Sequence, residues 1–129
     1  EIDDFVAKKK TEEFAAEFAM MAEAMAAFKE IVGMNDAWTT CDKQMKQLFA
    51  TRTLHAGARV YCGMLLLDQA LLAAAKIKEK GEIDADFYKG KIATARFYVM
   101  NHVPDIFGYL KSMKFGDRSA IDIPEESFM

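Results

Sequence analysis

Two histidines, His55 and His102, are the side chains best suited to acid–base work near neutral pH, and their sequence neighbours limit what they can do. A di-iron centre in a helical bundle needs a glutamate three residues before a histidine on each of two helices, with two further glutamates. The residues at those offsets here are Arg52 and Val99, so the ligand set fails. A covalently attached haem fails as well, because no CxxCH run is present. Both histidines are therefore expected to be hydrogen-bonded structural or surface residues. Cys41 and Cys62 lie too far apart for a CxxC pair and are expected to be reduced, buried, small apolar residues of a cytoplasmic protein.

The arginines are the stronger candidates. Arg52 and Arg59 are seven residues apart and share a helix face, Asp68 follows nine residues on, and Arg96 stands in a later segment. Guanidinium groups aligned in this way can grip phosphates or a carboxylate on a partner domain. The alternative is ion pairing across a bundle, with Asp42 and Asp68 as the nearest acceptors. Tyr61, Tyr98 and Tyr109 can line an apolar tunnel or sit at a core rim with their hydroxyls in water. Nine methionines could form an adaptable groove, but Met21, Met25, Met45 and Met113 fall on core stripes, which favours packing.

Helices must position these groups. From Ile2 to Val32 the residues Phe14, Phe18, Met21, Met25, Phe28 and Val32 alternate four and three apart, one stripe of a helix about 45 Å long. Gly33 is expected to end it and Asn35 or Asp36 to cap the next. Gly81, preceded by Lys76, Lys78 and Lys80, marks a second stop, with Asp84 as the following cap and Ile83 and Tyr88 as a staple across it. The long stretch between these stops is expected to break around residues 50–57, giving four helices at roughly 2–32, 35–50, 54–80 and 84–114; an unbroken, overhanging middle helix is the alternative. Ile92, Ala95, Val99, Val103, Ile106, Leu110 and Met113 form the stripe of the last helix, with Pro104 inside it as a kink. Gly57, Gly63 and Gly108 interrupt helices at up to ~1 kcal/mol each relative to alanine, a cost that close backbone approach would offset. After Gly116 the chain is expected to run as an extended tail, 117–129, anchored on the bundle by Ile121, Ile123 and Phe128. The fold class is thus all-α, an up-and-down bundle of three to four long helices in a single domain, 1–129.

Composition bounds the rest. With 129 residues the chain can bury one continuous core and fits a single domain of common size. A net charge of −3 gives no basis for a nucleic-acid partner. The apolar fraction of 52% is periodic, and no uninterrupted apolar run approaches the ~20 residues of a transmembrane segment. The polar face of the first helix mixes acids with lysines, which argues against membrane-surface binding. The chain opens at Glu1 with neither methionine nor leader, as a piece of a longer polypeptide would.

The segment KIATARFYVMNHVPDIFGYL and the SAIDIPEESF that follows carry a family resemblance. Lys91, Ala93, Thr94, Ala95, Arg96, Phe97 and Tyr98, then Pro104, then Ile123, Pro124, Glu125 and Phe128 resemble the last helix and tail of the accessory domain that closes one branch of the long acyl-CoA dehydrogenases. Leu54, Val60, Gly63 and the Leu65–Leu67 run resemble the small-residue helix of that domain; Gly33 to Asp42 lacks the proline loop usual in the family. The resemblance implies a parent enzyme that oxidises an acyl-CoA to the 2,3-enoyl-CoA, passing the hydride to FAD and the α-proton to a glutamate upstream of Glu1. It implies no catalytic, cofactor-binding or metal residue in this chain. Its partners would be the dehydrogenase body of the same polypeptide and further subunits of a homo-oligomer. Arg52, Arg59 and Arg96 would then face a partner or the phosphates of coenzyme A, and the tyrosines an acyl tunnel. A free-standing helical interaction module is the competing expectation.

Overall fold

The computed structural model describes residues 1–128. In chain order the helices are α1 (Ile2–Lys9), α2 (Ala15–Cys41), α3 (Lys43–Leu48), α4 (Ala50–Lys80), α5 (Ala85–Asn101), α6 (Asp105–Phe115) and α7 (Ser119–Asp122), followed by a 3-10 turn at Glu125–Phe128. Among the described residues there is no strand. Three long rods make the bundle: α2, the antiparallel α4, and α5 with α6 running back along both. Phe18, Met21 and Ile31 of α2, Val60 and Leu67 of α4, Val99 of α5, Val103 of the turn after it, and Ile106 and Met113 of α6 fill the space between them. The all-α bundle expected from the periodicity is the observed fold.

Several boundaries differ from the expected ones, each for a packing reason. The first helix is not continuous from 2 to 32. It stops at Lys10, whose backbone is extended, and restarts after Phe14. The break turns Phe14 fully inward, and α1 doubles back so that Phe5 stacks on Phe18 with ring centroids 5.7 Å apart. Gly33 ends nothing, because α2 runs through it to Cys41 and Asn35 donates its side-chain amide to Thr53 across 3.4 Å instead of capping. The real stop is Asp42, whose carboxylate accepts from the Met45 amide at 3.3 Å. Residues 50–57 are the unbroken first turns of α4; the bend lies just before them, where buried Phe49 stacks on Trp38 at 5.6 Å. Gly57 therefore sits mid-helix against Phe28, and Gly63 where an added Cβ would lie 2.9 Å from the Met21 sulfur and 3.1 Å from Val103. Gly63 is the close approach that offsets the helix penalty of glycine.

Gly81 ends α4 as expected, with φ +64° and its N–H donated to the Ile77 carbonyl at 2.9 Å. Asp84 precedes α5 in a left-handed conformation without a side-chain cap, and Ile83 stays exposed, so the expected staple does not form. Pro104 separates two helices and does not kink one: α5 closes with the His102 and Val103 amides both on the Tyr98 carbonyl, and Pro104 begins α6. The expected extended tail is instead a helical turn and a 3-10 turn. Ile121 packs against the core, while Ile123 and Phe128 face solvent, Phe128 at 75% exposure. Arg118, which no sequence signal singled out, ties this segment down through ion pairs to Asp42 and Asp122.

Among the described residues one helix, α4, is long and apolar enough to span a membrane by length and composition. In the bundle it is a core rod, packed against α2 on one flank and α5 on the other.

Candidate functional site

α5 carries the most distinctive residues, and packing fixes them in register. Ala95 and Val99 are buried, so Arg96 and Tyr98 emerge on opposite flanks of that seam. On one flank Arg96 reaches the break between α1 and α2. Its Nε lies 3.1 Å from the Glu17 carboxylate, a terminal nitrogen donates to the Glu13 carbonyl at 3.2 Å, and the guanidinium lies over the Phe14 ring at 4.9 Å. Glu17 is 7% exposed while the Arg96 side chain stays open to solvent on one side, so the pair caps a buried carboxylate at the rim of the core, beside the turn that brings Phe14 inward. Arg96 is thereby committed to its own chain.

On the other flank Arg59 of α4 bridges to α6. It pairs with Asp105 at 3.1 Å and donates to the Tyr109 hydroxyl at 3.5 Å; the Tyr109 contact, opposed by desolvation, holds the guanidinium above its ordinary pKa. Its Nε is buried without an acceptor. Tyr98 is half-buried beside Cys62 and Arg59. Burial first, and then Cys62, push its hydroxyl above the usual phenol range. Arg52 behaves differently. It is exposed, stacks on Phe49 at 4.8 Å, and overlooks a groove of about 300 Å³ lined by Leu48, Ser112, Phe115 and Asp117. The three arginines therefore do not converge, and Asp42 and Asp68 are not the acceptors of Arg59 or Arg96.

His102 packs edge-on against Phe97 and beside Tyr98, and His55 is exposed on α4. Cys41 and Cys62 are free and exposed, not buried. Lys91 lies over Phe87 at 5.5 Å, Thr94 donates its hydroxyl to the Gly90 carbonyl, and Phe97 and Pro124 face outward. Among the described residues no group of three metal-capable side chains assembles. The open features of this side are grooves along α4 and α5, one of about 190 Å³ between Gln69, Leu72, Phe87 and Lys91, and one of about 560 Å³ between Glu13, Ile77, Lys89 and Arg96. Such a surface docks a partner more readily than it activates a nucleophile.

Residues 1–124 match the family described as acetyl-CoA dehydrogenase C-terminal like. The chain belongs to that family. Two butyryl-CoA dehydrogenases of Syntrophomonas wolfei subsp. wolfei (strain DSM 2245B / Goettingen) are similar to it, 64% and 60% identical over 131 residues that take in all of this chain. The chain spans 22% of the length of each relative. As a member of the C-terminal-like family it is an all-helical dehydrogenase domain, and the ion pairs of Arg59 and Arg96 are the internal ties of that domain.

Proposed function

We propose that this chain is the non-catalytic C-terminal accessory domain of a flavin-dependent acyl-CoA dehydrogenase, cytoplasmic, with a short-chain acyl-CoA such as butyryl-CoA as the parent's substrate. The carrying observation is the match of the whole chain, at 64% identity, to about a fifth of a protein named butyryl-CoA dehydrogenase. The parent reaction moves a hydride to FAD and a proton to a carboxylate, giving the 2,3-enoyl-CoA. Residues of this chain do not fit the flavin: Arg59 and Arg96 are spent on Asp105 and Glu17, and Arg52 lies across Phe49 near Asp117. No step of the reaction is therefore routed through them, and the domain's work is to pack against the dehydrogenase body or a neighbouring subunit. The free cysteines suit a reducing compartment.

The test is direct. The purified chain is expected to be strongly helical by circular dichroism, colourless, and inactive in dye reduction with butyryl-CoA. A chain that keeps a yellow chromophore or bleaches the dye overturns the assignment.

A further inference from the structure

Gly116 closes α6 at φ +61°, a left-handed turn that glycine takes without strain, and an added Cβ there would meet nothing within 4 Å. Beyond it the segment 117–128 keeps its hydrogen bonds largely to itself. The Ser119 amide and hydroxyl donate to the Asp117 carboxylate at 3.3 and 2.6 Å, and the Ile121 and Asp122 amides to the Arg118 carbonyl at 2.9 and 2.8 Å. Arg118 also pairs with Asp122, 3.4 Å away in the same turn. No residue of α7 is fully buried, and half-buried Ile121 is what the segment sets against the core. Among the described residues one polar tie fastens it to the bundle: a guanidinium nitrogen of Arg118 meets a carboxylate oxygen of Asp42.

Asp42 has a second duty. Its other oxygen accepts from the Met45 amide at 3.3 Å and caps α3, while its own N–H closes α2 on the Trp38 carbonyl at 3.0 Å. α3 has six residues, far below the length at which a helix stands unaided in water, so it depends on that cap and on buried Met45. Arg118 on one oxygen fixes the rotamer that presents the other to Met45. The carboxylate thereby couples the end of the chain to the corner between α2 and α3. The two charged side chains are 36% and 27% exposed, so salt reaches the pair and each charge regains water when they part.

We propose that residues 117–128 form a strap, hinged at Gly116 and fastened by the Arg118–Asp42 clasp, which opens as a unit at lower cost than the bundle and in opening loosens the cap of α3. Opening lifts Ala120 from the wall of the groove of about 300 Å³ beside Leu48, Phe49 and Phe115 and takes Ile121 off the core. Ionic strength sets the balance between the two states.

Hydrogen exchange on the full chain tests the clasp, and Trp38, the chain's single tryptophan, stacked on Phe49 beside Asp42, reports on the corner. Arg118→Gln raises exchange at the Ile121 and Asp122 amides about tenfold. It also raises exchange at the Met45 amide and moves Trp38 emission to longer wavelength, while Leu67 and Val99 keep wild-type protection. About 1 M salt, where the screening length falls to ~3 Å, does the same to the unmutated chain. Arg118→Lys, which keeps the charge, restores most of the protection, and Asp42→Asn, which keeps a capping oxygen without the charge, frees the strap as Arg118→Gln does. Three results overturn the proposal. In the first, residues 117–122 of the wild-type chain exchange like a free peptide at low salt, so nothing is fastened. In the second, strap and core amides open at one common rate, so the segment is part of the core. In the third, Arg118→Gln leaves Met45 exchange and Trp38 emission at their wild-type values, so the clasp and α3 are independent.

Discussion

Leu67 and Leu65 stand two residues apart on α4 and live in different solvents. Leu67 is fully buried in the core of the bundle, whereas Leu65 is 42% exposed on the outer side of the helix. The inner face is built largely from small residues that let rods approach; the outer face is built from large ones that stand clear of the chain's own core. Apolar character alone thus does not mark the inside of α4; what its inner face adds is a run of small residues, Ala56, Gly63, Ala70 and Ala73, between the larger Val60, Met64 and Leu67. The hydrophobic content that looks excessive for so small a protein is divided between a core it closes by itself and an apolar stripe exposed along α4.

The comparison breaks or holds on substitution. Leu67→Ala is expected to cost ~2–5 kcal/mol through lost transfer energy and an unfilled cavity, lowering the melting temperature by some ten degrees or more for a domain of this size. Leu65→Ala should cost well under ~1 kcal/mol. Equal losses in calorimetry would erase the distinction between the two faces.

Arg96→Gln probes a contact at the rim of the inside. It strands Glu17 behind Phe14 and removes the donor to the Glu13 carbonyl. A loss of ~1–3 kcal/mol is expected, discounted for the open side of the guanidinium, together with faster amide exchange across residues 10–14. A melting temperature unchanged by the substitution would show that the turn before α2 holds without its arginine.

Tyr98 sits between the two faces and titrates. Its folded pKa is raised above the reference value of 10.0, so the folded state keeps the proton longer than the unfolded chain does. That contribution is complete below pH 10 and is lost as pH climbs through the raised value. Denaturant titrations should therefore show wild-type stability falling more steeply above about pH 10 than that of Tyr98→Phe; parallel slopes would mean that burial does not perturb the phenol. The smallest effect is expected at Phe128→Ala, within ~0.5 kcal/mol on the chain alone, because that ring is already in water.

The bundle and its rods were legible from heptad-like periodicity: Phe14, Phe18 and Met21 are buried as read, after which the seam drifts to Ala24, Ala27 and Ile31, leaving Met25 and Phe28 at its edge and Val32 exposed. Breaks were less legible. Gly33 and Gly57 look like stops, yet each sits mid-helix, since a glycine destabilises a helix by less than the packing of Ile31 or Val60 contributes. The actual bends at Phe14 and Phe49 are set by aromatic rings turning inward, a tertiary event with no local turn signature. Tail anchoring was misjudged for the same reason. Ile123 and Phe128 resemble anchors by type, but the chain is held by Arg118 meeting Asp42 across 76 residues, a pairing that no spacing rule encodes. The signature segment fared differently: Arg96 drew notice as a possible phosphate ligand, and the side chain it holds is an acid of its own chain.

The two-faced α4 also shapes how this chain can misfold. During collapse a rod turned roughly half a revolution presents Leu54, Tyr61, Leu65 and Leu72 to α2 and hides nearly as much oily surface as the native rod does. What separates the two arrangements is steric fit: at Gly63 an added Cβ would lie 2.9 Å from the Met21 sulfur and 3.1 Å from Val103, and the bulky stripe offers no such clearance. The landscape therefore holds a rotational decoy beside the native basin, and the gap between them is set by steric fit at one glycine, with Met21 and Val103 as the gauge.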